Sequence, residues 1–208
     1  MTSSVETMEL GRFVPVIVID DESRAPDVAR ALSAGGIPCA EVTLRTPAAL
    51  AAIRAMAAID GFSVGAGTVL HASQVDECAR AGASFLVSPG VSTPVLDRAF
   101  ELGIPAIPGV ATATDLMSVF AREHRQVKFF PADRLGGLET LRALAAPFAG
   151  VRFMPSGGVS MRNAAEYLAE PAVFAVSGSW LAPRQAIADG DFAEIERACA
   201  EAIAVVPS

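Results

Sequence analysis

A chain of 208 residues, 52% of them apolar, is long enough to bury one large core. A formal charge of -7, an isoelectric point near 4.8, and only one Trp and one Tyr exclude a nucleic-acid surface. No apolar run approaches the roughly 18 residues of a spanning helix, and the opening MTSSVETMELGR lacks the basic-then-apolar order of a secretory signal, so a cytoplasmic protein without a membrane partner is expected.

Short β-branched runs then alternate with alanine-rich amphipathic runs. Phe13 to Ile19, FVPVIVI, reads as a continuous apolar strand, the pattern of a strand covered on both faces. Asp20 to Ala34 reads as a helix ended by Gly35-Gly36. Cys39 to Leu44 is the second strand, and Pro47 to Ile59 a helix with Thr46 at its N-cap. Phe62 to Gly67 is the third strand, followed by a helix from Ser73, its cap, to Ala81. Phe85 to Ser88 and Pro105 to Pro108 are the fourth and fifth strands, followed by helices at Thr93 to Leu102 and Thr114 to Ala121. Gln126 to Phe130 and Val151 to Met154 are the sixth and seventh, followed by helices at Leu138 to Ala146 and Met161 to Leu168. Val173 to Val176 is the eighth strand, with a short turn at Ser179 to Leu181 and a closing helix from Phe192 to Ala204.

Strands separated by helical runs imply parallel pairing through crossovers, and eight such units imply a closed (β/α)8 TIM barrel of the α/β class. No linker interrupts the pattern, so residues 1–208 are expected to form a single domain. The competing doubly wound sheet calls for a glycine fingerprint after the first strand, and IDDESR is not one.

Lys128 is the only lysine, against fifteen arginines, and it lies in the apolar aromatic run RQVKFFP. A charge in a buried strand is costly unless paired. Lysine, unlike arginine, can give up its proton and attack a carbonyl to form an imine. The second strand reads Glu41-Val42-Thr43-Leu44-Arg45, and its period of two puts Glu41, Thr43 and Arg45 on the inward face. Gly65-Ala66-Gly67-Thr68 removes side-chain bulk where a ligand or a neighbouring strand approaches. Ser88-Pro89-Gly90 and Pro108-Gly109 are tight exits that shape a pocket mouth.

The seventh strand exits through Pro155-Ser156-Gly157-Gly158 and the eighth through Ser177-Gly178-Ser179-Trp180. Glycine-rich exits after these two strands, with a helical turn from Ser179, match the phosphate site of such barrels, where backbone amides stabilise an anion. Metal ligation is not expected: His71 and His124 are far apart, and Asp20-Asp21-Glu22 reads as the cap and start of the first helix. Cys39, Cys78 and Cys199 fit no metal spacing or disulfide framework.

PVIVI, EVTLRT, VGAGTVL, VSPG, KFFPA, PSGGVS and GSWL, in this order, carry a resemblance that runs from about Val14 to Ala202 to the 2-keto-3-deoxy-6-phosphogluconate (KDPG) and 4-hydroxy-2-oxoglutarate aldolase family. The resemblance implies an imine on Lys128 and general acid/base work by Glu41. It implies that Arg45 and Thr68 hold a carboxylate, with Pro89, Phe130 and Ser156 among the substrate-binding residues. Gly157, Gly158 and Ser179 would bind phosphate. It further implies a phosphorylated 2-keto acid substrate, no cofactor, no metal and a homotrimer.

Two features depart from the family pattern. Ser156 stands where threonine is common, which keeps the hydroxyl, and Asp20-Asp21 stand where basic or neutral residues are frequent. EVTLRT, in place of the EIPLNS of the related galactonate-pathway enzymes, favours the gluconate aldolase. The competing function is a phosphate-binding barrel isomerase or decarboxylase in which Lys128 acts only electrostatically.

Overall fold

A computed structural model describes residues 8–205; the first seven residues of the segment read as lacking a secretory signal lie outside them. Nine short strands are present among the described residues: β1 Phe13–Ile17, β2 Cys39–Thr43, β3 Ser63–Gly67, β4 Phe85–Val87, β5 Ala106–Ile107, β6 Gly109–Val110, β7 Gln126–Phe129, β8 Arg152–Pro155 and β9 Val176–Gly178. The helices are α1 Ala25–Ala34, α2 Ala49–Ala57, α3 Ala72–Ala81, α4 Thr93–Glu101, α5 Ala113–Phe120, α6 Gly137–Ala145, α7 Ala164–Leu168, α8 Arg184–Asp189 and α9 Phe192–Ala204.

All strand pairs are parallel. One ladder runs β5-β4-β3-β2-β1-β9 and the other β6-β7-β8. Bridges Phe153↔Val173 and Ser156↔Ser177 join β8 to the β9 segment, and only Pro108 separates β5 from β6. Proline has no N–H for the ladder, so what the sequence presents as a fifth strand is one stave in two pieces. The strands close into the expected (β/α)8 barrel, with helices outside.

The interior is packed, not hollow. Phe85 fills the space left by Gly65, where a Cβ would collide with its ring. Phe85 is fully buried, so its truncation to alanine costs about 3–5 kcal/mol. The N-terminal end is closed by the start of the described chain: Met8 donates its N–H to Gln126 Oε1 at 2.8 Å and accepts from Gln126 Nε2 at 2.9 Å. The Cys39 thiol donates to the carbonyls of Leu10 and Phe13 at the same end. All three cysteines are buried and free, and burial pushes each thiol up to about 12.

Four local expectations are corrected. Thr46 does not cap α2; its hydroxyl donates to the carbonyl of Ile19, tying the second strand's exit to the first, and Ala48 occupies the N-cap position. Ser73 does not cap α3; that helix begins after His71, and Gln74 Oε1 accepts from the Leu70 and His71 amides. The eighth strand pairs with β1 over Val176–Gly178, so Val173 makes only a single bridge to β8. Arg184–Asp189 forms a helix where no element was expected, opened by the backbone of Pro183 and closed by Gly190 in the left-handed region.

Candidate active site

The second strand is buried along its whole length, and Glu41 is completely inaccessible. Lys128 on β7 is 6% exposed. β2 and β7 are not neighbours in the sheet, so these two side chains meet only across the barrel interior. Lys128 Nζ donates to Glu41 Oε1 at 3.0 Å and to Oε2 at 3.3 Å. Each charge is thereby compensated, which burial demands. Breaking such a pair by removing one partner costs about 3–5 kcal/mol.

Phe130 lies just past the end of β7, and its ring centroid is 5.4 Å from Lys128 Nζ, within cation–π range. Gly109 is the β6 partner of Lys128. A Cβ at Gly109 would run into the backbone of Pro89 and Gly90, so this glycine lets the fourth-strand exit close over the lysine. The Ser88 hydroxyl donates to the Gly90 carbonyl at 2.7 Å and tightens that exit.

Gly157 and Gly158 have φ of 85° and 87°, a region open to glycine at little expense. A Cβ on Gly157 would sit 3.2 Å from the Phe130 ring. The β8 exit is stitched to the β7 exit by Ala132 N–H to Ser156 O at 2.8 Å and Asp133 N–H to Gly157 O at 2.9 Å. Lys128, Phe130 and Gly157 therefore form one continuous wall. Ser156 is buried, and Ser179 is exposed at the start of the turn after β9, with the Trp180 ring packed on Gly178.

Arg45 departs from its expected place. Alternation puts it inward with Glu41 and Thr43, but β2 ends at Thr43 and Arg45 lies in the following turn, exposed. The period of two holds only while the backbone stays extended. Thr43 does face a partner, donating its hydroxyl to the Ile17 carbonyl at 2.9 Å. Thr68 follows the paired end of β3, Gly67 being the partner of Thr43. Thr68 has φ of 60°, unusual for a β-branched residue and of the kind that clusters at ligand sites. Arg45 and Thr68 thus leave adjacent strand ends at the rim.

The two acids after the first strand separate. Asp21 caps a single helical turn by accepting from the Ser23 amide at 2.9 Å. Asp20 is instead gripped by Arg184 through two 2.7 Å hydrogen bonds, and these hold its carboxyl below the usual range. The reading of both acids as a helix start missed this pair, because its partner lies 164 residues away in the unexpected α8. Asp133 was also missed: its side chain lies against Gly158, where a Cβ would collide with it. The stitching of two consecutive strand exits puts it there, and no local pattern announces it.

The sequence model of the family described as "Aldolase: KDPG and KHG aldolase" matches residues 5–198. The chain belongs to the KDPG/KHG aldolase family. It is 44% identical over 204 residues to the 2-dehydro-3-deoxy-phosphogluconate aldolase of Dickeya dadantii, covering 98% of this chain and 96% of that one. The KDPG aldolase of Legionella pneumophila, solved with pyruvate captured as a covalent carbinolamine intermediate, superposes with a TM-score of 0.90 at 39% identity, covering 95% of each chain. The KDPG aldolase of Zymomonas mobilis, solved with 3-phosphoglycerate, gives 0.89 at 41% identity, covering 96% of this chain and 94% of that one. The KDPG/KHG aldolase resemblance expected from the motifs is therefore shown.

Proposed function

We infer that this chain is a lyase: an imine-forming aldolase that cleaves 2-keto-3-deoxy-6-phosphogluconate to pyruvate and glyceraldehyde 3-phosphate and serves the Entner–Doudoroff pathway. Cleavage of 4-hydroxy-2-oxoglutarate to pyruvate and glyoxylate is the second reaction the family name suggests. The observation that carries the chemistry is the chain's single lysine, buried inside the barrel 3.0 Å from a fully buried glutamate.

Lys128 attacks the C2 carbonyl once it has passed a proton to Glu41, the only charged group within hydrogen-bonding distance of Nζ among the described residues. The carbonyl oxygen takes up protons and leaves as water, and a protonated imine remains. That imine accepts the electron pair released when the C3–C4 bond breaks, which gives an enamine in place of an unstabilised carbanion. The C4 hydroxyl gives its proton to Glu41 as the aldehyde departs. Glu41 returns a proton to C3, and water then hydrolyses the imine to release pyruvate.

Arg45 and Thr68 at the rim are assigned the carboxylate, where a guanidinium fork makes two parallel hydrogen bonds. Pro89, Phe130 and Ser156 are assigned the middle of the substrate. Gly157, Gly158 and Ser179 are assigned the phosphate, supported by two consecutive glycines in the left-handed region at the mouth.

The finer setting is also proposed. Residues 1–208 are taken as one domain of a cytoplasmic homotrimer; no helix among the described residues is long and apolar enough to cross a membrane. Phe100, 61% exposed, and Met117, 66% exposed, are apolar side chains that a subunit contact would cover. Light scattering gives the assembly directly.

Borohydride reduction in the presence of pyruvate, followed by peptide mapping, tests the central step. A stable adduct on Lys128 is expected, and none on Lys128→Arg. Folded protein that yields no adduct, or Lys128→Arg with appreciable turnover, would reject the imine mechanism in favour of non-covalent barrel chemistry.

A further inference from the structure

Ser177 is fully buried, and its Oγ has no hydrogen-bond partner among the described residues. The strand registers determine which way it points. In one direction round the barrel, Ser177 lies opposite Val14 on β1, and Val16, two residues further, lies opposite Glu41 on β2. Parallel partners, and residues two apart on a strand, present their side chains to the same face. In the other direction, Ser177 bridges Ser156 on the β8 side, two residues beyond Met154, the partner of Lys128. Both routes put the Ser177 hydroxyl in the barrel interior, on the face shared by Glu41 and Lys128.

Its height in the barrel is equally defined. β9 is the middle strand of the arc β2-β1-β9-β8-β7, whose two ends carry the ion pair. Ser177 is two residues before Ser179, and its bridge partner Ser156 is one before Gly157. Ser177 lies two residues short of the level of Glu41 on the β1 side and two residues beyond that of Lys128 on the β8 side, so it stands level with the ion pair, on the strand that leads to the proposed phosphate cradle. A substrate spanning those two points carries its hydroxyl-bearing carbons past it.

A buried hydroxyl without a partner is destabilising, because both its donor and its acceptor are desolvated. Alanine would occupy the same strand position without that penalty. Local rules of this kind are broken where a ligand completes the bonding. Serine reorients about one side-chain torsion, so its hydroxyl reaches a ligand oxygen without backbone movement.

We propose that Ser177 is a specificity-determining residue of this aldolase: together with Ser156, it hydrogen-bonds a hydroxyl on the substrate carbons between the imine and the phosphate. This rests on the imine-forming reading of the site. Pyruvate has no such hydroxyl, so it forms its imine without help from Ser177, whereas a 4-hydroxy-2-keto acid is held and oriented by it.

The test uses the full chain and the Ser177→Ala and Ser177→Gly variants. Three quantities are measured: the rate of borohydride trapping with pyruvate, kcat/KM for cleavage of 4-hydroxy-2-oxoglutarate and of the phosphorylated substrate, and the melting temperature. Loss of one hydrogen bond predicts a fall of about tenfold in kcat/KM for the hydroxylated substrates in both variants, with pyruvate trapping within about twofold of the parent. For Ser177→Ala, the melting temperature should be unchanged or raised. Equal loss in trapping and cleavage would overturn the proposal, as would kinetics unchanged in either variant. Failure of the parent chain to trap pyruvate would reject the imine site itself, a different signature that removes this proposal with it.

Discussion

The carboxylate of Glu41 occupies the space that a side chain on Gly67 would take. A Cβ at position 67 would collide with Oε1, Cγ and Cδ of Glu41. Glu41 is completely buried and cannot swing into solvent. The glycine on β3 is thus what allows the glutamate on β2 to stand upright beside Lys128. Gly67→Ala should displace the carboxylate and lower kcat by tenfold or more, in keeping with how steeply catalysis depends on placement. Steady-state kinetics on folded Gly67→Ala protein would decide it; unchanged kcat would mean that the carboxylate relaxes without consequence.

Glu41→Gln separates proton transfer from positioning. The amide still accepts a hydrogen bond from Lys128 but cannot take its proton. Turnover should fall by at least about a hundredfold if Glu41 is the acid/base. A fall of less than about tenfold would assign it to orientation alone. A urea melt on the same sample should show a loss smaller than the roughly 3–5 kcal/mol of a broken buried pair, since one hydrogen bond survives.

Gly157→Ala probes the mouth. Its φ of 85° disfavours any residue with a Cβ, by about 1–2 kcal/mol. The new methyl would also press on the Phe130 ring at 3.2 Å. KM for the phosphorylated substrate should rise more than the pyruvate concentration needed for half-maximal trapping. Equal increases would place the phosphate elsewhere.

His124 sets part of the pH dependence of stability. It is 6% exposed, and burial, reinforced by Arg122, pushes its imidazole below the usual 6.5. A base whose folded value is depressed binds its proton more readily when unfolded. Its contribution to stability is therefore complete above about 6.5 and is lost as pH falls toward the folded value. His124→Phe should flatten the difference between urea midpoints at pH 7.5 and pH 5.5. An unchanged difference between parent and variant would assign the acid limb to the carboxylates.

The sequence by itself determined the barrel, since eight apolar strands separated by amphipathic helices leave few other ways to bury both faces of a parallel sheet. It also singled out Lys128 and Glu41, because a charge in a buried strand breaks the local pattern and is visible without coordinates. Only the tertiary structure decided that these two meet, since the contact crosses the interior between strands that are not neighbours. It likewise moved Arg45 from the interior to the rim, where β2 stops being extended and alternation no longer applies. Asp20 joined Arg184 across 164 residues of chain, a pairing that local periodicity carries no trace of. Ser177 lay just past the expected end of its strand, and its inward direction emerges only from registers counted round the barrel on both sides. Periodicity reports which face of an element is buried; which elements face one another is settled by closure of the sheet, and the active site is built from that second relation.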